Sequence, residues 1–357
     1  MTIDRVGRAS DMRLRLYTAN AALDESKKVL VSTGVKICVP RPANGRSRPA
    51  PSRSVPIVTG LSCRRPVEPW LRRKGNSRID FQVAGETLRD TRRQREADFH
   101  DKWAGDVDVD ALLVDETFTA VTALENQHVL DVFGDVRGLR VLDYGSGAAE
   151  GGVFLAKRGA QVVAVDVSQG MLDVAQRLAH HHGVAIETRR VEGDRIPAET
   201  SEFDRVYGNG VLHHVPLAVA IPELARITRP SGVGCFIEPL PYNPLINVYR
   251  RVAKEVRTAD EQPLSFADVD RFKSHFGEVT HREFWFTALA VFLKFYLWDR
   301  VDPNRERYWK RIYTEAPRIA FWFTHLRRLD ERILSRVPLL GRYCWTTVIT
   351  VARPITP

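Results

Sequence analysis

The segment Val141-Leu142-Asp143-Tyr144-Gly145-Ser146-Gly147 constrains this chain more than any other. Apolar β-formers over 140–144 predict a buried strand. It runs into a glycine turn and then into a helix from about Gly151 to Arg158. Gly145 and Gly147 carry no Cβ, so the turn can be tight and a ligand can approach the backbone closely. Strand, glycine turn and helix in that order open a parallel sheet. Further strands are expected at 161–166, 185–190, 203–207 and 232–238, with helices at 170–181 and 222–228. Alternation at this spacing predicts a doubly wound α/β sheet. Upstream, Leu88 to Trp103 reads as a helix with Phe99 and Trp103 on one face, and Leu112 to Leu130 as a second. Downstream the alternation lapses. Strands are expected at 279–286 and 343–352, with an aromatic and basic helical insertion between them.

The charges around the turn indicate which ligand it serves. Asp143 stands just before it, and Glu150 occupies the place of the last glycine in a dinucleotide-binding GxGxxG. Both carboxylates would repel a pyrophosphate. S-adenosylmethionine carries no phosphate but does carry an ammonium and a sulfonium, which carboxylates attract. One strand later, Asp166 in Val165-Asp166-Val167-Ser168 follows the glycine turn by about twenty positions, a spacing suited to accepting both hydroxyls of a ribose. Ser168 is the better placed of the two for capping the next helix. After the third strand, Asp194 in Glu192-Gly193-Asp194-Arg195 could accept a hydrogen bond from an adenine amino group or simply terminate a turn.

Residues 140–238 resemble the class I S-adenosylmethionine-dependent methyltransferases, in particular the small-molecule enzymes that include those of quinone biosynthesis. The motifs occur in the family's order. The glycine turn comes first, then Val165-Asp166-Val167-Ser168 with Met171-Leu172, then Gly193-Asp194. Phe203-Asp204-Arg205-Val206 follows, with Val211-Leu212-His213-His214-Val215, and the series closes on Leu224 to Gly232. Ala149 replaces the third small residue of the turn. The resemblance implies a Rossmann-like sheet of seven strands. The last of these, here 343–352, is antiparallel and sits between strands five and six. It also implies a cofactor lying across the carboxyl ends of strands one to four. The residues expected to bind it are Asp143, Tyr144, Gly145, Ser146, Gly147, Asp166, Val167, Met171, Asp194, Arg195 and Asn209.

Methyl transfer from a sulfonium is an in-line displacement, so a base is needed only where the nucleophile must lose a proton. His213 and His214, after the fourth strand, and Glu238, at the end of the fifth, are the candidates. His180, His181 and His182 are adjacent and point in different directions, so no metal site is expected there. Asn243-Pro244 stands after the fifth strand and reads as a loop, since the [DN]PP[YF] signature of adenine methylation follows the fourth. The apolar run Phe284 to Trp298, with Phe321 to Phe323, reads as core or as a lid over a lipophilic acceptor.

The net charge of +9 is uneven. Residues 1–80 hold 17 basic against 6 acidic side chains, a surplus of eleven, and the remainder sums to −2. Overall charge is therefore no argument for nucleic-acid binding. Residues 1–85, rich in Pro and Arg, are expected to be a disordered extension, and 86–130 to form helices capping the cofactor site. Residues 131–357 are expected to form the catalytic domain with a helical lid at about 287–340. Cys38, Cys63, Cys235 and Cys344 lack metal-ligand spacing, and no stretch is long and apolar enough to span a bilayer. The expected setting is cytoplasmic, with a peripheral membrane contact through the apolar run. The expected activity is methylation of a small lipophilic acceptor. A non-catalytic cofactor-binding regulator and a nucleotide-dependent oxidoreductase are the competing classes.

Overall fold

The computed structural model describes residues 77–252 and 262–355, with side chains from residue 91 onward. The expected extension lies outside these residues except at its end. There the first helix, α1 (Ser77–Ala104), already begins within the stretch 1–85 expected to be disordered.

Seven strands form one sheet: β1 (Arg140–Tyr144), β2 (Gln161–Asp166), β3 (Glu187–Arg190), β4 (Phe203–Asn209), β5 (Thr228–Pro239), β6 (Phe276–Phe284) and β7 (Thr346–Pro354). Their order is β3-β2-β1-β4-β5-β7-β6. β1 pairs in parallel with both β2 and β4, and β4 with β5. β7 is antiparallel to β5 and to β6, as the resemblance implied. The apolar runs of β1 and β2 are buried on both faces, which is why they are continuous rather than alternating. The chain leaves β1 toward β2 and β3, then returns on the other side as β4. The carboxyl ends of β1 and β4 therefore flank the crevice where such sheets bind ligands.

The helices follow from caps and stripes. Between β1 and α4 (Glu150–Lys157), Gly145, Gly147 and Ala149 all have positive φ. At Gly145 a Cβ would also land 2.3 Å from Val211 Cγ2. Helix α5 (Gln169–His181) starts at Ser168, whose Oγ accepts from Met171 N, and buries Met171, Leu172, Val174, Ala175, Leu178 and Ala179. Helix α6 (Leu217–Ile227) begins five residues before the expected start, because Leu217, Ala220 and Ile221 extend the buried stripe past Pro222. The single helix expected over 112–130 is broken into α2 (Glu116–Thr119) and α3 (Leu124–Phe133). Asn126 Nδ2 and Gln127 Nε2 donate to Thr117 O and Ala120 O, pinning the break between the two helices.

Asn243 and Pro244, read as loop, start helix α7 (Pro244–Val252): Asn243 Oδ1 accepts from Leu245 N and Ile246 N. A short helix, α8 (Phe266–Asp270), precedes β6. Between β6 and β7 lie α9 (Ala290–Leu293) continued by a π turn to Trp298, α10 (Tyr308–Thr314) and α11 (Ala316–Arg336). Buried Asp330 of α11 ties this insertion together by accepting from the backbone of Phe286, Thr287 and Ala288. Trp285, Phe292, Phe295 and Phe323 pack in its core; Phe292 and Trp345 lie 4.8 Å apart, edge to face.

Candidate functional site

A cavity of about 970 Å³ opens where the carboxyl ends of β1, β2, β4 and β5 meet α1 and α10. Of the residues expected to bind a cofactor, Asp143, Tyr144, Gly145, Ser146 and Gly147 line it, as do Asp166, Val167, Met171, Asp194 and Asn209. Arg195 does not. Its side chain is exposed, and the neighbouring apolar groups Val191 and Ile196 face the cavity instead.

Asp143 is buried, and its Oδ2 accepts from Gly152 N at 2.8 Å. Burial pushes its carboxyl up to about 7, and the nearby carboxylates Asp166 and Glu150 add to the rise against the bond from Gly152. Neither Asp143 nor Asp166 has an ion-pair partner among the described residues. Asp166 Oδ2 accepts from Gly147 N and Oδ1 from Ser168 N, both at 2.9 Å. A carboxylate has about four acceptor positions, so two stay available toward the cavity. A pair of uncompensated acids beside a glycine turn fits a cationic ligand that carries vicinal hydroxyls.

The catalytic candidates converge on one corner. His213 Nδ1 lies 2.7 Å from Glu238 Oε2, and Glu238 Oε1 accepts from Val211 N and Leu212 N at 3.0 and 2.6 Å. Glu238 has no exposed surface and three donors on its two oxygens. It is therefore a group that orients His213 rather than a free base. The His214 ring sits 4.1 Å from that of His213, and its Nδ1 is 3.4 Å from Glu96 Oε2.

Glu96 belongs to α1, which the sequence placed over the site without naming the residues it contributes. Arg93 pairs with Asp194 at 2.9 Å. Asp101 caps α5 by accepting from Ser168 Oγ and Gly170 N. From the insertion, Arg307, Trp309 and Lys310 line the cavity, while Trp285, Phe292 and Trp298 do not. Trp285 and Phe292 are core and Trp298 is 85% exposed, so of the two readings of the apolar run these residues follow neither a lid nor, for Trp298, the core; the part of the insertion that lines the cavity is 305–314. Beyond β4 and β5 the cavity has apolar and aromatic walls, including Ile237, Ile246, Tyr249, Trp309 and Trp345. Buried Glu125, whose Oε1 accepts from Thr346 Oγ1 at 2.6 Å, stands among them. Burial holds its carboxyl above the ordinary range.

Residues 141–232 match a family model described as methyltransferase domain. The ubiquinone biosynthesis O-methyltransferase of Hahella chejuensis is 34% identical over 120 residues, which is 33% of this chain and 50% of that protein. The biotin biosynthesis bifunctional protein BioHC of Cellvibrio japonicus is 32% identical over 136 residues, 37% of this chain and 24% of that one. The chain thus spans half or less of the length of these relatives. Among solved structures, phosphoethanolamine N-methyltransferase 2 of Haemonchus contortus is similar at 16% identity and a TM-score of 0.44. That similarity covers 65% of this chain and 53% of the other.

Proposed function

We propose that this chain, a class I methyltransferase of the S-adenosylmethionine-dependent type, transfers a methyl group to a small, lipophilic acceptor that loses a proton in the reaction. The observation carrying the proposal is the continuity of one cavity, from the acid-flanked glycine turn past His213 to the aromatic walls beyond β5. When bound, S-adenosylmethionine supplies an electrophilic methyl on a positively charged sulfur and a neutral thioether leaving group. Asp143 and Asp166 attract its positive charge, and Asp166 accepts from its ribose hydroxyls with the two acceptor positions that Gly147 and Ser168 leave open. Val191 and Ile196 cover the base, with Asp194 at its edge.

Glu238 holds Nδ1 of His213, so Nε2 is the nitrogen that takes the acceptor's proton as its nucleophilic atom bonds the methyl carbon. Tyr249, Trp309 and Trp345 bury the acceptor's body and exclude water. Helix α1 caps the cofactor. An exposed apolar step at Leu293, Tyr296, Leu297 and Trp298 offers a peripheral contact with a bilayer from which such an acceptor could be drawn.

The test is turnover with methyl-deuterated S-adenosylmethionine and a lipid extract, read by mass spectrometry. A labelled apolar product together with S-adenosylhomocysteine supports the reading. Cofactor binding without turnover on any acceptor, the behaviour of a non-catalytic regulator, overturns it.

A further inference from the structure

The cofactor's amino-acid end carries a carboxylate as well as an ammonium, and the acids beside the glycine turn cannot bind it. A cation facing the same space would give it a charge-assisted partner. Most cavity-lining cations are already engaged. Arg93 is paired with Asp194, Lys310 with Glu150 at 3.5 Å, and Arg311 with Glu306 at 2.7 Å. Arg307 differs. It precedes the first residue of α10, is only partly exposed, and makes no side-chain hydrogen bond or ion pair among the described residues. Its guanidinium lies 3.8 Å over the ring of Trp103 on α1. Trp103 packs in turn on the cluster of Ala148, Met171 and Val174, immediately beside Gly147. The stacking holds a partly buried cation on the wall of the same cavity that the glycine turn lines, with no side-chain hydrogen-bond acceptor among the described residues. Burial lowers its pKa, as expected of a cation held without an anion.

A second observation points to the same place. His100 lies one turn before Trp103, and its Nδ1 is buried without any hydrogen-bond partner. An orphaned buried ring nitrogen costs free energy unless a ligand satisfies it.

We infer that Arg307, stacked on Trp103 and assisted by His100 Nδ1, binds the carboxylate of the cofactor's amino-acid end. The C-terminal insertion is then part of the cofactor site and not only a cover for the acceptor. This rests on the proposed cofactor reading. The geometry has a functional consequence: α1 and α10 meet through Trp103 and Arg307, so cofactor binding strengthens the closure of the cavity before the acceptor reacts.

The experiment is calorimetry on the full chain with two probes, S-adenosylhomocysteine and 5′-methylthioadenosine, which lacks the amino-acid carboxylate and α-ammonium. Arg307→Gln is expected to weaken S-adenosylhomocysteine binding on the order of ten- to a hundredfold, the cost of one charge-assisted pair. Methylthioadenosine affinity stays within about twofold of the unmodified chain's, and Arg307→Lys recovers part of the loss. A parallel fall for both probes would make Arg307 a structural residue and overturn the inference, as would unchanged binding of S-adenosylhomocysteine. If the unmodified chain binds neither probe, the cofactor reading itself fails, an outcome separate from the other two.

Discussion

Asp143→Asn should make the ligand-free protein more stable at alkaline pH while weakening its hold on a cationic ligand. Asp143 is buried next to Asp166 and Glu150, and its carboxyl is pushed from an ordinary 3.8 up to about 7. Between those values the folded chain binds more protons at this site than the unfolded chain. Stability therefore falls as pH rises through the window from about 4 to 7 and levels off above it. A shift of about 3 units corresponds to about 4 kcal/mol over the whole window, of which about 2.5 kcal/mol falls between pH 5 and pH 8. Asn keeps an oxygen for the 2.8 Å bond from Gly152 N but never ionises. The stability difference between variant and unmodified chain isolates Asp143 from every other titrating group. Urea unfolding at pH 5 and pH 8 measures it. The variant should gain about 2.5 kcal/mol on the unmodified chain across that interval. A difference that does not change with pH would refute the reasoning that uncompensated burial sets this carboxyl. Ligand binding should reverse the burden: the sulfonium and ammonium favour the carboxylate, so binding below pH 7 releases a proton. Binding heats that depend on the buffer's ionisation enthalpy would show it.

Asp166→Ala should cost about 2 kcal/mol or more in cofactor affinity by calorimetry and should also loosen the turn, since Gly147 N and Ser168 N lose their acceptor. Glu238→Gln should lower kcat and move the pH–rate profile while leaving S-adenosylmethionine affinity nearly unchanged. A profile identical to that of the unmodified chain would remove the His213 base. Trp309→Ala should raise the acceptor KM without changing the melting temperature much. Trp285→Ala, in the fully buried core of the insertion, should destabilise by about 3–5 kcal/mol, visible in denaturant unfolding.

What the sequence determined by itself is the sheet and the glycine-turn side of the cavity. These are short-range matters. The turn at Gly145 and Gly147, the cap at Ser168 and the end of β2 at Asp166 are each written in short local stretches, and the structure places Gly145, Gly147 and Asp166 on one crevice. The motif order also carried the unusual position of β7, through resemblance rather than through any local signal. Tertiary structure decided what closes that crevice. The sequence reads 86–130 as helices capping the site, but only the tertiary structure shows which residues of α1 line the cavity: Arg93, Glu96, His100 and Trp103. In the insertion, the first part of the apolar run is buried at Trp285, Phe292 and Phe295, its end is exposed at Leu297 and Trp298, and the polar stretch after it faces the cavity. Hydrophobicity marks what must leave water without saying whether protein or ligand will cover it. Arg307 over Trp103, His214 beside Glu96 and Glu238 behind His213 each join residues from separate elements. Such pairs exist only once the sheet has brought those elements together, so no local pattern could announce them.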